Sequence, residues 1–218
     1  MQKDLRLLKA LHKESSPLLH FYEWDCPCLT YGYFTKPSEY LNLEALARFG
    51  LKAARRPTGG GIIFHTTDLA FSVFIPAAHP EFSTNTLDNY ALVNQRVAKA
   101  IQAFTNNRIA PALLLKAKEG GGGFCMANPT QFDLVIEGKK VGGAAQRRTK
   151  QGLLHQGSIS LGFPSLAMLV AVLKNHALVS SEMEKHSYCL LKEGAESDLN
   201  EARKCMKNFI SYFVANDG

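Results

Sequence analysis

Between Leu69 and Ile75 the apolar side chains Leu69, Phe71, Val73 and Ile75 alternate with Ala70, Ser72 and Phe74, and Pro76 follows. A period of two predicts a strand buried mostly on one face and ended by the proline. A second β pattern lies at Phe132, Leu134 and Ile136. It runs into Glu137-Gly138 and is followed by Lys139, Lys140 and Val141, which predicts a hairpin turning at the glycine. Leu29, Thr30, Tyr31, Tyr33 and Phe34 surround Gly32 and predict a strand within Trp24 to Phe34, with a close backbone approach at the glycine. Helical spacing appears from Leu87 to Phe104, from Ser165 to about Lys174 and from Ser197 to about Val214, and a short helix is expected over Leu43 to Phe49 between Asn42 and Gly50. Strands follow one another without a helix in each crossover. The expected class is therefore α+β, a mixed, mainly antiparallel sheet with packed helices, rather than a doubly wound sheet.

The chain has 218 residues, 46% of them hydrophobic, which suits a globular domain and disfavours a disordered or collagen-like one. No repeat of 20–50 residues and no charged tail divides it. No run approaches the roughly 18 apolar residues of a membrane span, and Met1 to Arg6 interleaves charge with leucine rather than opening a signal peptide. The five cysteines are odd in number and carry no repeated CxxC pair, so a reducing cytoplasm is expected and a disulfide framework or zinc site is not. A net charge of +6 suits an anionic substrate, an acidic protein or nucleic acid without choosing among them.

Three segments carry chemistry. Arg55-Arg56-Pro57-Thr58-Gly59-Gly60-Gly61-Ile62-Ile63-Phe64-His65, then Asp68, joins two cations to a backbone free to take positive φ and to turn its N–H groups on an oxyanion. Its spacing is neither a P-loop nor a dinucleotide fingerprint, and a glycine-rich hairpin turn is the plain alternative. Gly120 to Gly123 precedes Cys125 and reads as a loop over a site or as a linker; the thiol becomes a nucleophile only where a neighbouring cation lowers its pKa. On a strand, Lys139 and Lys140 face opposite sides, so one of them can enter a pocket while the other meets solvent. His155, in Leu154-His155-Gln156-Gly157-Ser158, is a candidate base or a structural histidine.

Together these segments resemble the lipoate–protein ligase and octanoyltransferase family, relatives of the biotin-protein ligases. The family's RRxTGGGxVFH pattern is similar to Arg55 through His65. Its GKKxxGxAQRR pattern is similar to Gly138 through Arg148, and its LHxGT-like segment to Leu154 through Ser158. An early W, P and G pattern is similar to Trp24, Pro27 and Gly32, so the likeness runs from about Trp24 to Ile159.

The resemblance implies a class II synthetase-like catalytic domain over residues 1–218. Only residues 160–218 follow the last motif, with two expected helices, so a complete C-terminal accessory domain is not expected. It also implies an enzyme that acylates a lysine of lipoyl domains, in 2-oxoacid dehydrogenase complexes or the glycine cleavage H protein. The main expectation is a cytoplasmic ligase: lipoate attacks the α-phosphate of ATP, and the lipoyl-AMP then acylates the lysine. The resemblance assigns catalysis to Lys140, and substrate binding to Arg55, Arg56, Thr58, Gly59, Gly60, Gly61, His65, Gly143, Ala144, His155 and Gly157. Mg2+ would accompany ATP, with Asp133 as its candidate ligand. Gly61 and Phe64 resemble the ligase form of the first motif. The alternative is transfer from octanoyl carrier protein through a thioester on Cys125, which lies 15 residues before Lys140. A basic nucleic-acid-binding module is the non-enzyme alternative; paired cations beside glycine motifs, rather than a stripe of cations among aromatics, argue against it.

Overall fold

The computed structural model of the chain describes residues 1–116, 124, 129–191 and 196–216. Its larger sheet is antiparallel throughout, in the order β1 (Leu18–Phe21), β5 (Asp68–Pro76), β9 (Gly152–Ser160), β8 (Lys139–Arg148), β7 (Leu134–Ile136) and β6 (Ala112–Leu113). The smaller sheet centres on β2 (Cys28–Tyr31), which pairs in parallel with β3 (Lys52–Arg55) and antiparallel with β4 (Ile62–His65). The α+β expectation holds.

β5 is buried along its whole length, where one buried face was expected. Leu69, Phe71, Val73 and Ile75 pack beneath α4 (Thr86–Phe104) and α7 (Glu196–Asn216), against Val93, Val97, Ile101, Met206 and Ile210. On the opposite face Phe74 meets Leu154 and is covered by Leu8 of the N-terminal helix α1 (Gln2–Ala10) and by Leu11. That short helix, like β1 and β3, was not predicted. Its charged residues interrupt the apolar spacing, and burial against a distant strand decides its fold. The smaller sheet packs Leu29, Ile62 and Phe64 against α3 (Leu43–Arg48), α5 (Leu166–Val172) and α6 (His176–His186). A four-residue helix, α2 (Pro37–Tyr40), precedes α3. As expected, α3 is capped by the Asn42 side chain, which accepts from the Ala45 N–H.

Two backbone features place the lysine hairpin and the glycine loop. The predicted hairpin turns at Glu137 and Gly138, both at positive φ, as a two-residue turn requires. Lys140 then pairs with Val135 and Gly142 with Leu134, leaving Val141 as an extra residue without a partner. This bulge resets the alternation of β8, so that Lys140 and Gly143, three residues apart, share a face. The predicted strand between Trp24 and Phe34 is only four residues long. Beyond Tyr31 the backbone turns to the glycine loop, with Gly32 N–H donating to Gly61 O and Tyr33 N–H to Thr58 O. A Cβ on Gly32 would lie 1.8 Å from Gly60 O, so the approach expected from the glycine is a backbone-to-backbone contact.

Candidate active site

Between the two sheets lies a cleft of about 480 Å³, mouth included, lined by Met1, Tyr22, Trp24, Ile63, Ala70, Gly143, Ala144 and Ala145 and by the polar residues Thr30, Arg56, His65, Lys140, Gln156 and Ser158. Its floor is apolar, and Lys140 stands in its wall. Lys140 is buried, with its ammonium 2.7 Å from Asp133 Oδ2. Asp133 is fixed in turn by Thr130, whose N–H and hydroxyl donate to the same oxygen at 2.6 and 2.9 Å. Lys139 lies toward the surface and donates to Glu184 O, so the two lysines face apart as strand geometry requires. A Cβ at position 143 would stand 2.5 Å from Lys140 Cε and 2.7 Å from Asp133 Oδ1. Lysine tip and carboxylate must both give way, so Gly143→Ala should disturb the ion pair. A fall in turnover of roughly tenfold or more, with a lowered urea midpoint, is the expected result.

A chain of buried hydrogen bonds holds the glycine loop. The guanidinium of Arg56 donates to Gly59 O, Gly61 O and Thr30 Oγ1 at 3.1, 2.7 and 2.8 Å. His65 places Nδ1 2.7 Å from Asp68 Oδ2 and Nε2 2.7 Å from Thr30 Oγ1. A carboxylate only accepts, so Nδ1 carries the proton, and the Thr30 hydroxyl accepts from Arg56 while donating to Nε2. Ser158 donates to the same Asp68 oxygen at 2.6 Å. The Trp24 ring stacks on His65 at 4.7 Å and on Tyr22 at 5.1 Å.

A second network enters from α1. Thr58 donates to Gln156 Oε1, and the Gln156 amide donates to Tyr22 Oη and to Asp4 Oδ2. Tyr22 gives its own proton to Asp4 at 2.5 Å. Burial first, then the charge of Asp4, push the Tyr22 phenol far above its ordinary range, so it remains a neutral donor. The sequence patterns did not single out Asp4, Tyr22 or Thr30. Asp4 and Gln156 meet across 152 residues, and no local period records such a contact.

Other expected residues fall elsewhere. Arg55 is exposed, its guanidinium 4.9 Å over the Tyr33 ring, outside the cleft. His155 departs from its expected substrate-binding role. Its ring lies on the opposite face of the sheet between Phe71 and Tyr90, with Nδ1 2.9 Å from Gln146 Nε2 and Nε2 without a partner among the described residues. Gly157 contributes backbone to the cleft, but a Cβ there would press on the Phe71 ring at 2.4 Å, so core packing already demands the glycine. Cys28 is buried at the start of β2, and burial first, then Asp68 and Cys26, raise its thiol to about 12, which removes it as a nucleophile. The Gly120 to Gly123 run and Cys125 lie outside the described residues. Phe124, the neighbour of Cys125 in sequence, is buried, stacks on Phe64 and lines a second cleft that shares Ile63 and Ser158 with the first.

Burial lowers the pKa of His155 to about 3, against 6.5 for a free imidazole. The native state therefore binds this proton only near pH 3, while the unfolded chain binds it from about pH 6.5. The contribution of the neutral ring is complete above pH 6.5 and is lost as pH falls toward 3, by at most roughly 1.4 kcal/mol per pH unit. Urea unfolding from pH 7 to 4 should show this slope in the wild type and a shallower one in His155→Gln.

The donors around Asp133 do not fit magnesium. One oxygen is taken by an ammonium, an N–H and a hydroxyl, whereas the ion needs several oxygen ligands. Among the described residues, no group of three or more His, Cys, Asp or Glu is placed to hold a metal ion. None of the described helices is long and apolar enough to cross a membrane.

The model of the lipoyl protein ligase A/B catalytic domain matches residues 1–207. Octanoyltransferase LipM of Brevibacillus brevis is 34% identical over 161 residues, covering 69% of this chain and 57% of that protein. Octanoyltransferase LipM of Bacillus subtilis is 30% identical over 208 residues, covering 89% of this chain and 74% of that protein. The chain thus spans little more than half the length of the first of these relatives. Among solved structures, a bipartite lipoate protein ligase of Thermoplasma acidophilum superposes at a TM-score of 0.69 with 22% identity, covering 97% of this chain and 76% of that one. A lipoate-protein ligase A bound with ATP gives 0.69 at 24% identity, covering 97% and 78%. At such identities these structures share the fold alone, the class II synthetase-like catalytic domain. The relatives correct the main functional expectation: they are octanoyltransferases, so ATP-dependent ligation of lipoate gives way to the alternative.

Proposed function

The chain belongs to the lipoyl protein ligase A/B catalytic-domain family, and within it we propose that the protein moves an octanoyl group from a carrier-protein thioester to a lysine of a lipoyl domain. The observation that carries this reading is the Lys140–Asp133 ion pair, buried in the wall of an apolar cleft, in a chain whose relatives are octanoyltransferases. An octanoyl chain suits such a cleft because each buried CH₂ contributes about 0.8 kcal/mol.

The nucleophile in this proposal is Cys125. Its thiolate attacks the carbonyl carbon of the donor thioester, the new C–S bond forms, and the donor's C–S bond breaks with the carrier thiolate leaving and taking up a proton. The neutral amine of the acceptor lysine then attacks the Cys125 thioester. An amide forms, the amine proton is lost, and the Cys125 thiolate is released for the next cycle. Both steps place negative charge on the carbonyl oxygen, and the Lys140 ammonium, oriented by Asp133, is the group that would stabilise it. Arg56 acts one layer back: it shapes the Gly59–Gly61 loop through its carbonyls.

Incubating a purified lipoyl domain with the protein, in one mixture with octanoyl carrier protein and no ATP and in another with lipoate and Mg-ATP, tests the reading by the mass of the domain. Octanoylation in the first mixture is expected. Modification in the second mixture alone would contradict it.

A further inference from the structure

Phe34 is 87% exposed, yet it sits on a firmly held loop. Gly32 and Tyr33 donate their N–H groups to Gly61 O and Thr58 O, and the Thr35 hydroxyl donates to Gly60 O. The aromatic residue is therefore carried by the outer side of the same glycine loop whose inner side Arg56 braces at the cleft. The Tyr33 ring meets Phe34 edge-on at 5.1 Å and lies under the Arg55 guanidinium. Across the loop Arg147, also exposed, donates to Pro57 O. Neither arginine is paired with a carboxylate among the described residues, so two exposed cations lie beside the start of the glycine loop, one of them stacked on the ring next to Phe34.

We infer that Tyr33, Phe34 and Arg55 form the docking surface for the acceptor domain, an acidic-faced protein that presents its lysine to the cleft. The inference rests on the octanoyl-transfer reading for the identity of the partner. The acceptor is favoured over the octanoyl carrier on reach. A lysine has a four-carbon stem, so the body of the acceptor must lie on the rim for its amine to arrive at the acyl group. A carrier that delivers its thioester on a long arm can stand farther off. An exposed aromatic fixed in one place, with a stacked arginine beside it, has the composition of an interface hot spot. The two guanidiniums supply the charge complement to an acidic surface and speed encounter with it.

The experiment titrates an unmodified lipoyl domain into the protein and into its Phe34→Ala and Arg55→Gln variants at two salt concentrations. Binding about tenfold weaker is expected for Phe34→Ala, and weaker binding with a shallower salt dependence for Arg55→Gln. In parallel, octanoyl loading of the enzyme from octanoyl carrier protein should be unchanged in Phe34→Ala, because the side chain lies outside the cleft. Equal affinity in all three proteins, no binding by the wild type, or octanoyl loading that falls together with affinity in Phe34→Ala would overturn the inference. Titration needs no turnover, so the two readings fail separately. Phe34-dependent binding without octanoyl transfer would remove only the transfer reading, and transfer with Phe34-indifferent binding only the docking surface.

Discussion

Lys140→Ala should lower turnover by a factor on the order of 10² to 10³ or more, while Lys139→Ala should stay within a few fold of the wild type. The difference comes from placement. Lys140 points into the cleft wall and is held by Asp133 at 2.7 Å, whereas Lys139 turns away and donates to the Glu184 carbonyl. Lys140→Ala also leaves Asp133 buried without its counter-charge, a loss of roughly 3–5 kcal/mol in stability. Folding and chemistry are separated by the double variant Lys140→Ala/Asp133→Asn, which removes the orphaned charge. It should regain much of the urea midpoint and none of the activity. Equal losses in Lys139→Ala and Lys140→Ala would contradict the facing of β8.

Cys125→Ser should lose octanoyl transfer by a factor on the order of 10³ or more. A serine hydroxyl is scarcely ionised near neutral pH, and an ester in place of the thioester would give up the acyl group to an amine far more slowly. Cys26→Ser serves as the control and should remain active. A Cys125→Ser variant with wild-type turnover would show that the acyl group reaches the lysine without visiting this thiol.

How much of this was legible in the sequence divides by range. The alternation at Leu69 to Ile75, the turn at Glu137-Gly138 and the spacing of Leu87 to Phe104 are local records of period, and the corresponding β5, the β7–β8 turn and α4 match them closely. The glycine at position 32 correctly signalled a close backbone approach. Local pattern failed where a distant surface decides. α1 exists because Leu8 covers Phe74 and Leu154, and Asp4 is buried because Tyr22, His20 and Gln156 surround it. The bulge at Val141 is equally silent, since two residues opposite one are visible only once the register with β7 is known. The motifs pointed to Lys140, Arg56 and His65, and all three line the cleft. Arg56, expected to bind substrate, donates to the Gly59 and Gly61 carbonyls and to the Thr30 hydroxyl. His155 read as part of the pocket, and the period of β9 carries it to the helix-covered face beside Phe71. The motifs could not separate ligation from transfer, because patterns shared across the family set the lysine and the loop in both chemistries; the relatives, which are octanoyltransferases, favour transfer.

The central claim is that the acyl group passes through the enzyme as a thioester. Intact-protein mass spectrometry after mixing with octanoyl carrier protein, in the absence of ATP, tests it most directly. The account predicts one octanoyl adduct, mapped to Cys125, cleaved by hydroxylamine and discharged when an unmodified lipoyl domain is added. A lipoyl domain that becomes octanoylated while Cys125 never carries the adduct would contradict it.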